Sequence, residues 1–182
     1  IDQMASQTAD RLRQLEDIHL RSIAECFLMD ESLMSSFCRA PAGIKNHHAY
    51  QGGLLEHTIM IMNLVDAIAP LYPTVNRDLL TLGAFLHDVG KIRELNFDRD
   101  MSYSDEGQLI GHVVLGVEIL QSKILEAETL LGEAIPCELT NQLKHIVLSH
   151  QGAYDFGSPK LPMTLEAIVV HLLDTLDSKV QN

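Results

Sequence analysis

Apolar positions recur at helical spacing along most of the chain. Residues 3–29 read as one long helix, with Leu12, Leu15, Ile18, Ile23, Cys26 and Phe27 at that spacing and charges between them. Residues 31–37 read as a short second helix, and the run Cys38-Arg39-Ala40-Pro41-Ala42-Gly43 breaks it. An irregular stretch is predicted from Ile44 to Gly53. Residues 54–70 then form an apolar helix closed by Pro70 and Pro73, with Leu54, His57, Ile61, Leu64, Val65 and Ile68 on one face. The next helix, 76–90, has Asn76 as N-cap, Asp78 in its first turn and Gly90 as its stop. Residues 108–131 are predicted helical, and another helix opens at Pro136 and runs to His150 with Gly152 as its stop. In the last helix, capped by Thr164, the apolar stripe is Leu165, Ile168, Val169, Leu172 and Leu176. No strand-like alternation of useful length appears. The pattern predicts an all-α fold, an irregular bundle of about six or seven helices.

Some polar residues interrupt these stripes where packing alone does not want them. His57 and His87 fall on buried faces, and His112 lies on a stripe with Leu109, Leu115, Gly116 and Ile119. His150 ends the helix before Gly152, whereas His145 lies off that stripe and reads as exposed. Each histidine alone reads as a core residue bonded to a carbonyl. The set is more telling, because Asp88 directly follows His87 and a buried carboxylate without a partner is very costly. Helical bundles build metal sites from side chains on facing helices. A mixed imidazole and carboxylate set suits Mn²⁺, Fe²⁺, Zn²⁺ or Ni²⁺ better than Ca²⁺. On the last helix His171, Asp174 and Asp177 share a face, and spacing does not choose between the two aspartates. Gly52 and Gly53, just before a helix, let backbone approach a substrate closely. Residues 96–107 read as a polar, acidic loop, either a lid or a solvated connector.

Composition narrows the partners. The 182 residues suffice for one domain with a real core. The net charge of −12 is not that of a free-standing nucleic-acid binder, so a polyanionic substrate would need a metal or another domain for positive charge. Cys26, Cys38 and Cys137 form no C-x-x-C pair, which fits a reducing cytoplasm. No apolar run approaches a membrane span and no signal peptide is visible. The start at Ile1, already in a helical pattern, reads as a fragment of a longer protein.

His57, then Leu86-His87-Asp88-Val89-Gly90-Lys91, then Asp174 resembles the H…HD…D signature of the HD superfamily of metal-dependent phosphohydrolases. A closer likeness is to the HD domain of YhaM-type 3′–5′ exoribonucleases. It runs through Asn46-His47-His48-Ala49-Tyr50, Gly52-Gly53-Leu54-Leu55-Glu56-His57-Thr58, Arg77-Asp78-Leu79-Leu80, the stretch from His87 to Leu95, and Ser104-Asp105-Glu106-Gly107. It continues through Gly111-His112, Ser149-His150, Phe156-Gly157-Ser158-Pro159 and the run from Glu166 to Lys179.

The resemblance implies that His57, His87, Asp88 and Asp174 bind one divalent metal, and it favours Asp174 over Asp177. His112 and His150 would serve a second metal bridged by Asp88, or touch the substrate phosphate. Asp88 and Lys91 would be catalytic, Lys91 by neutralising phosphate charge. Gly52, Gly53 and Gln151 would meet the substrate. Mn²⁺ is the first expectation for the metal, with Fe²⁺, Zn²⁺, Ni²⁺ and Mg²⁺ as alternatives, at one or two ions per chain. The family often has two adjacent histidines where this chain has His150-Gln151, which puts the second ion in question. The implied organisation is an N-terminal helical segment, 1–40, leading from an upstream OB-fold domain that grips RNA, then a phosphohydrolase domain, 41–182. Two other readings stand beside the exoribonuclease: a hydrolase of nucleotides or other small phosphate esters, and a non-catalytic regulatory module that binds metal or nucleotide.

Overall fold

The computed structural model describes residues 1–44, 49–97 and 101–181. His47 and His48, and part of the expected loop from 96 to 107, lie outside these residues.

The predicted long N-terminal helix is two helices. α1 (Asp2–Arg13) ends before Asp17, whose side chain accepts hydrogen bonds from the His19 and Leu20 amides and so starts α2 (Ile18–Leu28). The apolar spacing survives the break, and Leu12, Leu15, Leu20, Ile23 and Phe27 are all buried in the common core. α3 (Glu31–Arg39) follows, capped by Asp30.

α4 (Gly53–Ile68) is the central helix, packed against α1, α3, α5 (Arg77–Leu86) and α10 (Leu165–Val180). Contrary to the expectation from composition, Gly53–Leu71 is long and apolar enough by those measures to cross a membrane. Its polar residues are sparse enough to escape a window average. Here its inner face, with Leu54, Leu55, Ile61, Met62 and Val65, is buried in the core. Phe27 and Phe37 meet Phe85 of α5 with ring centroids 5.5 and 5.0 Å apart, which ties the N-terminal helices to the centre.

Gly90 does not stop a helix. α5 ends at Leu86, residues 87–90 form turns, and α6 (Lys91–Glu94) begins at once. Gly90 has an ordinary helical φ of −64°. What it permits is close approach: a Cβ there would lie 1.9 Å from the carbonyl oxygen of His112, at the start of α8 (His112–Leu131). Residues 95–96 and 102–103 form a two-stranded antiparallel ladder, with Leu95 opposite Tyr103 and Asn96 opposite Ser102. A short α7 (Asp105–Leu109) separates this ladder from α8, so Leu109 is exposed rather than on the α8 stripe.

α9 (Cys137–Ser149) packs on α5, α8 and α10. His145 is half-buried rather than exposed, and its Nε2 accepts a hydrogen bond from the Met163 amide. The stripe expected to bury α10 faces outward: Leu165, Ile168, Leu172 and Leu176 are exposed, while Ala167, Val170, Leu173 and Asp177 are buried. α10 carries apolar residues on both faces, so periodicity could not fix its rotation. Its contacts with α4, α5 and α9 do.

Candidate metal centre

Four histidines from four elements converge on Asp88. His57 lies within α4, His87 caps the end of α5, His112 opens α8, and His150 caps the end of α9. The 87–90 turn carries Asp88 inward, where it is 3% exposed. The close crossing at Gly90 then brings His112 alongside it.

In every one of these imidazoles Nδ1 is engaged away from the centre. His57 Nδ1 pairs with Asp177 Oδ2 at 2.7 Å, and His112 Nδ1 with Glu94 Oε1 at 2.9 Å. His87 Nδ1 and His150 Nδ1 each donate to the backbone carbonyl three residues earlier, Ala84 and Val147, at 2.8 Å. A nitrogen that donates outward leaves its partner nitrogen as the inward lone pair. All four Nε2 atoms face Asp88.

The two carboxylate oxygens of Asp88 divide this set. Oδ2 lies 3.4 Å from His87 Nε2 and 3.8 Å from His57 Nε2, while Oδ1 lies 3.5 Å from His150 Nε2 and 3.6 Å from His112 Nε2. Each trio of ligand atoms lies within 4.8 Å. Asp174 Oδ1, on α10, adds a contact of 3.2 Å to His57 Nε2. Two features fit a cation here. The Nε2 atoms of His57 and His87 are 3.1 Å apart, and Asp88 Oδ1 is buried without a hydrogen-bond partner among the described residues. The donor set of imidazole and carboxylate suits a divalent transition metal.

The charges support one another. Burial opposes ionisation of Asp88, but nearby Lys91 and His87 hold its carboxyl well below the usual range. Lys91 Nζ lies 2.7 Å from Asp88 Oδ2, and this carboxylate keeps Lys91 protonated despite its burial. Burial works against a proton on His57 as well, yet Asp174, Asp177 and Asp88 together raise its pKa to about 9. Asp174 is lowered against its own burial, first by His57. His150 is pushed down by burial, which outweighs the attraction of Asp88.

The centre opens into a cavity of about 530 Å³, whose walls include Lys91, Tyr103, Gln151, Asp174 and Ser178. A larger hollow, about 650 Å³, lies between the α1–α2 turn and α5, where Arg11 and Arg77 pair with Asp66. It gathers no histidine among the described residues. Gln151 Nε2 is 3.2 Å from His112 Nε2 and 3.1 Å from His150 Nε2, so the carboxamide closes that pair. Gly52 and Gly53 are not among the residues lining the 530 Å³ cavity. Gly52 has a φ of +87° and turns the chain into α4, with its amide donating to the Arg39 carbonyl. That turn is what the structure shows them doing.

Residues 54–179 match the HD domain family. The chain belongs to the HD domain family. The HD chain is 37% identical over 179 residues to a 3′–5′ exoribonuclease YhaM of Listeria innocua, a match covering 98% of this chain and 55% of the relative. It is 42% identical over 146 residues to a protein of the same name from Bacillus subtilis, covering 80% of this chain and 45% of the relative. The chain thus spans about half the length of the curated relatives it matches. No solved structure matches it.

Sequence reasoning missed two residues of this HD centre. Glu94 receives both the His112 amide and its Nδ1, and although burial opposes its ionisation, His112 holds it below the usual range. It lies in the His87–Leu95 stretch of the resemblance, which gave it no role of its own. Asp177 stood only as a rival to Asp174. In the structure the two aspartates flank opposite nitrogens of one ring.

Proposed function

We propose that the chain is the catalytic HD domain of a metal-dependent 3′–5′ exoribonuclease, with His57, His87, Asp88 and Asp174 as ligands of one divalent ion. The observation that carries this reading is the division of Asp88 between two pairs of inward-facing Nε2 atoms. Mn²⁺ is the first candidate, with Fe²⁺, Zn²⁺, Ni²⁺ and Mg²⁺ behind it, and the mixed imidazole and carboxylate donors fit a transition metal better than Ca²⁺. His112 and His150 form a second position, for another ion or for phosphate.

Such an ion supplies polarisation of a phosphoryl oxygen and activation of water. The protein does the rest by placement. Asp177 and Glu94 keep His57 and His112 in the tautomer that turns Nε2 inward. Asp88 stays ionised, so its Oδ1 can accept a hydrogen bond from the attacking water. Lys91 keeps its proton at the cavity wall and offsets charge as it builds on the phosphate. Water adds to phosphorus and one P–O ester bond breaks.

The grip on RNA would come from an OB-fold segment of the full-length protein, working in the reducing cytoplasm. The net charge of −12 supports that division of labour. It also favours a second reading for the HD chain alone, hydrolysis of nucleotides or other small phosphate esters. Elemental analysis and an assay on short RNA beside a nucleotide panel test both. His87→Ala and Asp88→Ala should lose bound metal and hydrolysis while keeping helical circular dichroism. Retained hydrolysis in either variant sinks the assignment.

A further inference from the structure

A second hollow, of about 340 Å³, is lined by both His112 and Gln151 and shares Gln151 with the metal-centre cavity. Its walls are mainly apolar: Ile110, Val113, Val114, Phe156 and Pro159. Glu94 is its one charged lining residue, and no cation lines it among the described residues.

Phe156 is 73% exposed, which is unusual for a phenylalanine unless something covers its ring. It sits on a 3₁₀ turn, Tyr154–Phe156, reached from the end of α9 at Ser149 through residues 150–153. The turn is well held. The Ser158 hydroxyl is hydrogen bonded to the Leu148 and Lys160 carbonyls, and the Ser158 amide donates to Ala153. Gly152, at φ +79°, leaves no room for a Cβ beside the His171 ring, whose Nδ1 donates to the His150 carbonyl. The exposed ring is thus tied through a short, fixed path to His150.

We propose that this hollow is a nucleobase subsite, in which the base of the terminal nucleotide stacks on Phe156 while its phosphate is at the metal centre. The inference rests on the phosphodiesterase reading above. An apolar, aromatic hollow with an acidic wall repels phosphate and accepts a flat ring. Its volume is within the range of small-molecule sites, about 300–1,000 Å³. Nothing but Glu94, Gln151 and His112 offers a side-chain polar group, and all three are already engaged with one another. Recognition is therefore through the ring face, tolerant of base identity and stronger for purines.

The chain has no tryptophan, so Phe156→Trp places a single tryptophan in the subsite, to be excited apart from the four tyrosines. In that variant AMP should quench the emission saturably, and ribose 5-phosphate should not. Equal quenching by both, or none by AMP, overturns the proposal. The kinetic arm uses Phe156→Ala on short RNA with an intact or an abasic 3′-terminal nucleotide. The variant should raise KM about tenfold on intact RNA, with kcat kept, and change nothing on the abasic substrate. An equal effect on both substrates overturns the subsite. If the unaltered chain degrades no RNA but hydrolyses small phosphate esters, the second reading holds for the chain alone, and the fluorescence titration still decides the subsite.

Discussion

His57 Nε2 and His87 Nε2 are 3.1 Å apart while both Nδ1 atoms are engaged elsewhere. Two neutral imidazoles in that arrangement would point lone pairs at each other. A proton or a metal ion must lie between them, and the two compete for one place.

That competition sets a pH dependence. The His57 pKa, raised to about 9 in the metal-free chain, means that metal uptake near neutrality displaces a proton. Apparent metal affinity should rise about tenfold per pH unit between pH 7 and 8 for one proton displaced. Calorimetry in buffers of different ionisation enthalpy would count the proton, and a flat profile would remove His57 from the ligand set. For metal-free stability the sign is opposite. A folded pKa above the ordinary 6.5 stabilises fully below pH 6.5 and loses that stabilisation as pH rises toward 9. Chemical denaturation of the metal-free chain should show the fall.

Asp177→Asn removes the charge that holds His57 Nδ1. Loss of such an outer partner weakens metal binding about 10- to 100-fold. Chelator competition should show that drop with helical content retained. If Asp177→Asn abolishes binding and Asp174→Asn has no effect, the roles of the two aspartates are reversed.

Gln151→His should add a ligand to His112 and His150, which the carboxamide now bridges. The expected result is a gain of one bound ion per chain by elemental analysis, with the first retained. Unchanged stoichiometry would mean that Gln151 is not what limits the second position.

Gly90→Ala tests the crossing of the 87–90 turn with α8. The added methyl would clash with the His112 carbonyl, and overpacking of this kind costs about 1–3 kcal/mol or more. Thermal denaturation should fall by several degrees. An unchanged transition would show that α8 can withdraw from Asp88 freely.

Much of the centre is legible in the chain. His57 and His87 lie on strongly apolar helical faces, so burial follows from spacing alone. Asp88 follows less directly, because one residue on from His87 is about 100° further round a helix, and a carboxylate there needs a cation only if it is inside. The helices themselves were readable wherever one face is clearly apolar, as in α5 and α9. They were misread where it is not: α10 has aliphatic residues on two faces, and the one with the longer stripe is exposed.

The sequence by itself determined the helical class, the core histidines and the HD signature, because these are written in local periodicity and adjacent residues. The tertiary structure alone decided which carboxylate serves which nitrogen. Asp174 and Asp177 are three residues apart on one helix, and only the placement of α10 against α4 puts one at Nε2 of His57 and the other at Nδ1. Glu94 is tied to His112 by a contact 18 residues away in sequence, and Phe156 meets the same histidine's hollow across 44. Such pairings depend on how helices cross, and crossing is set by packing at positions such as Gly90, which carry no mark of the chemistry they bring together.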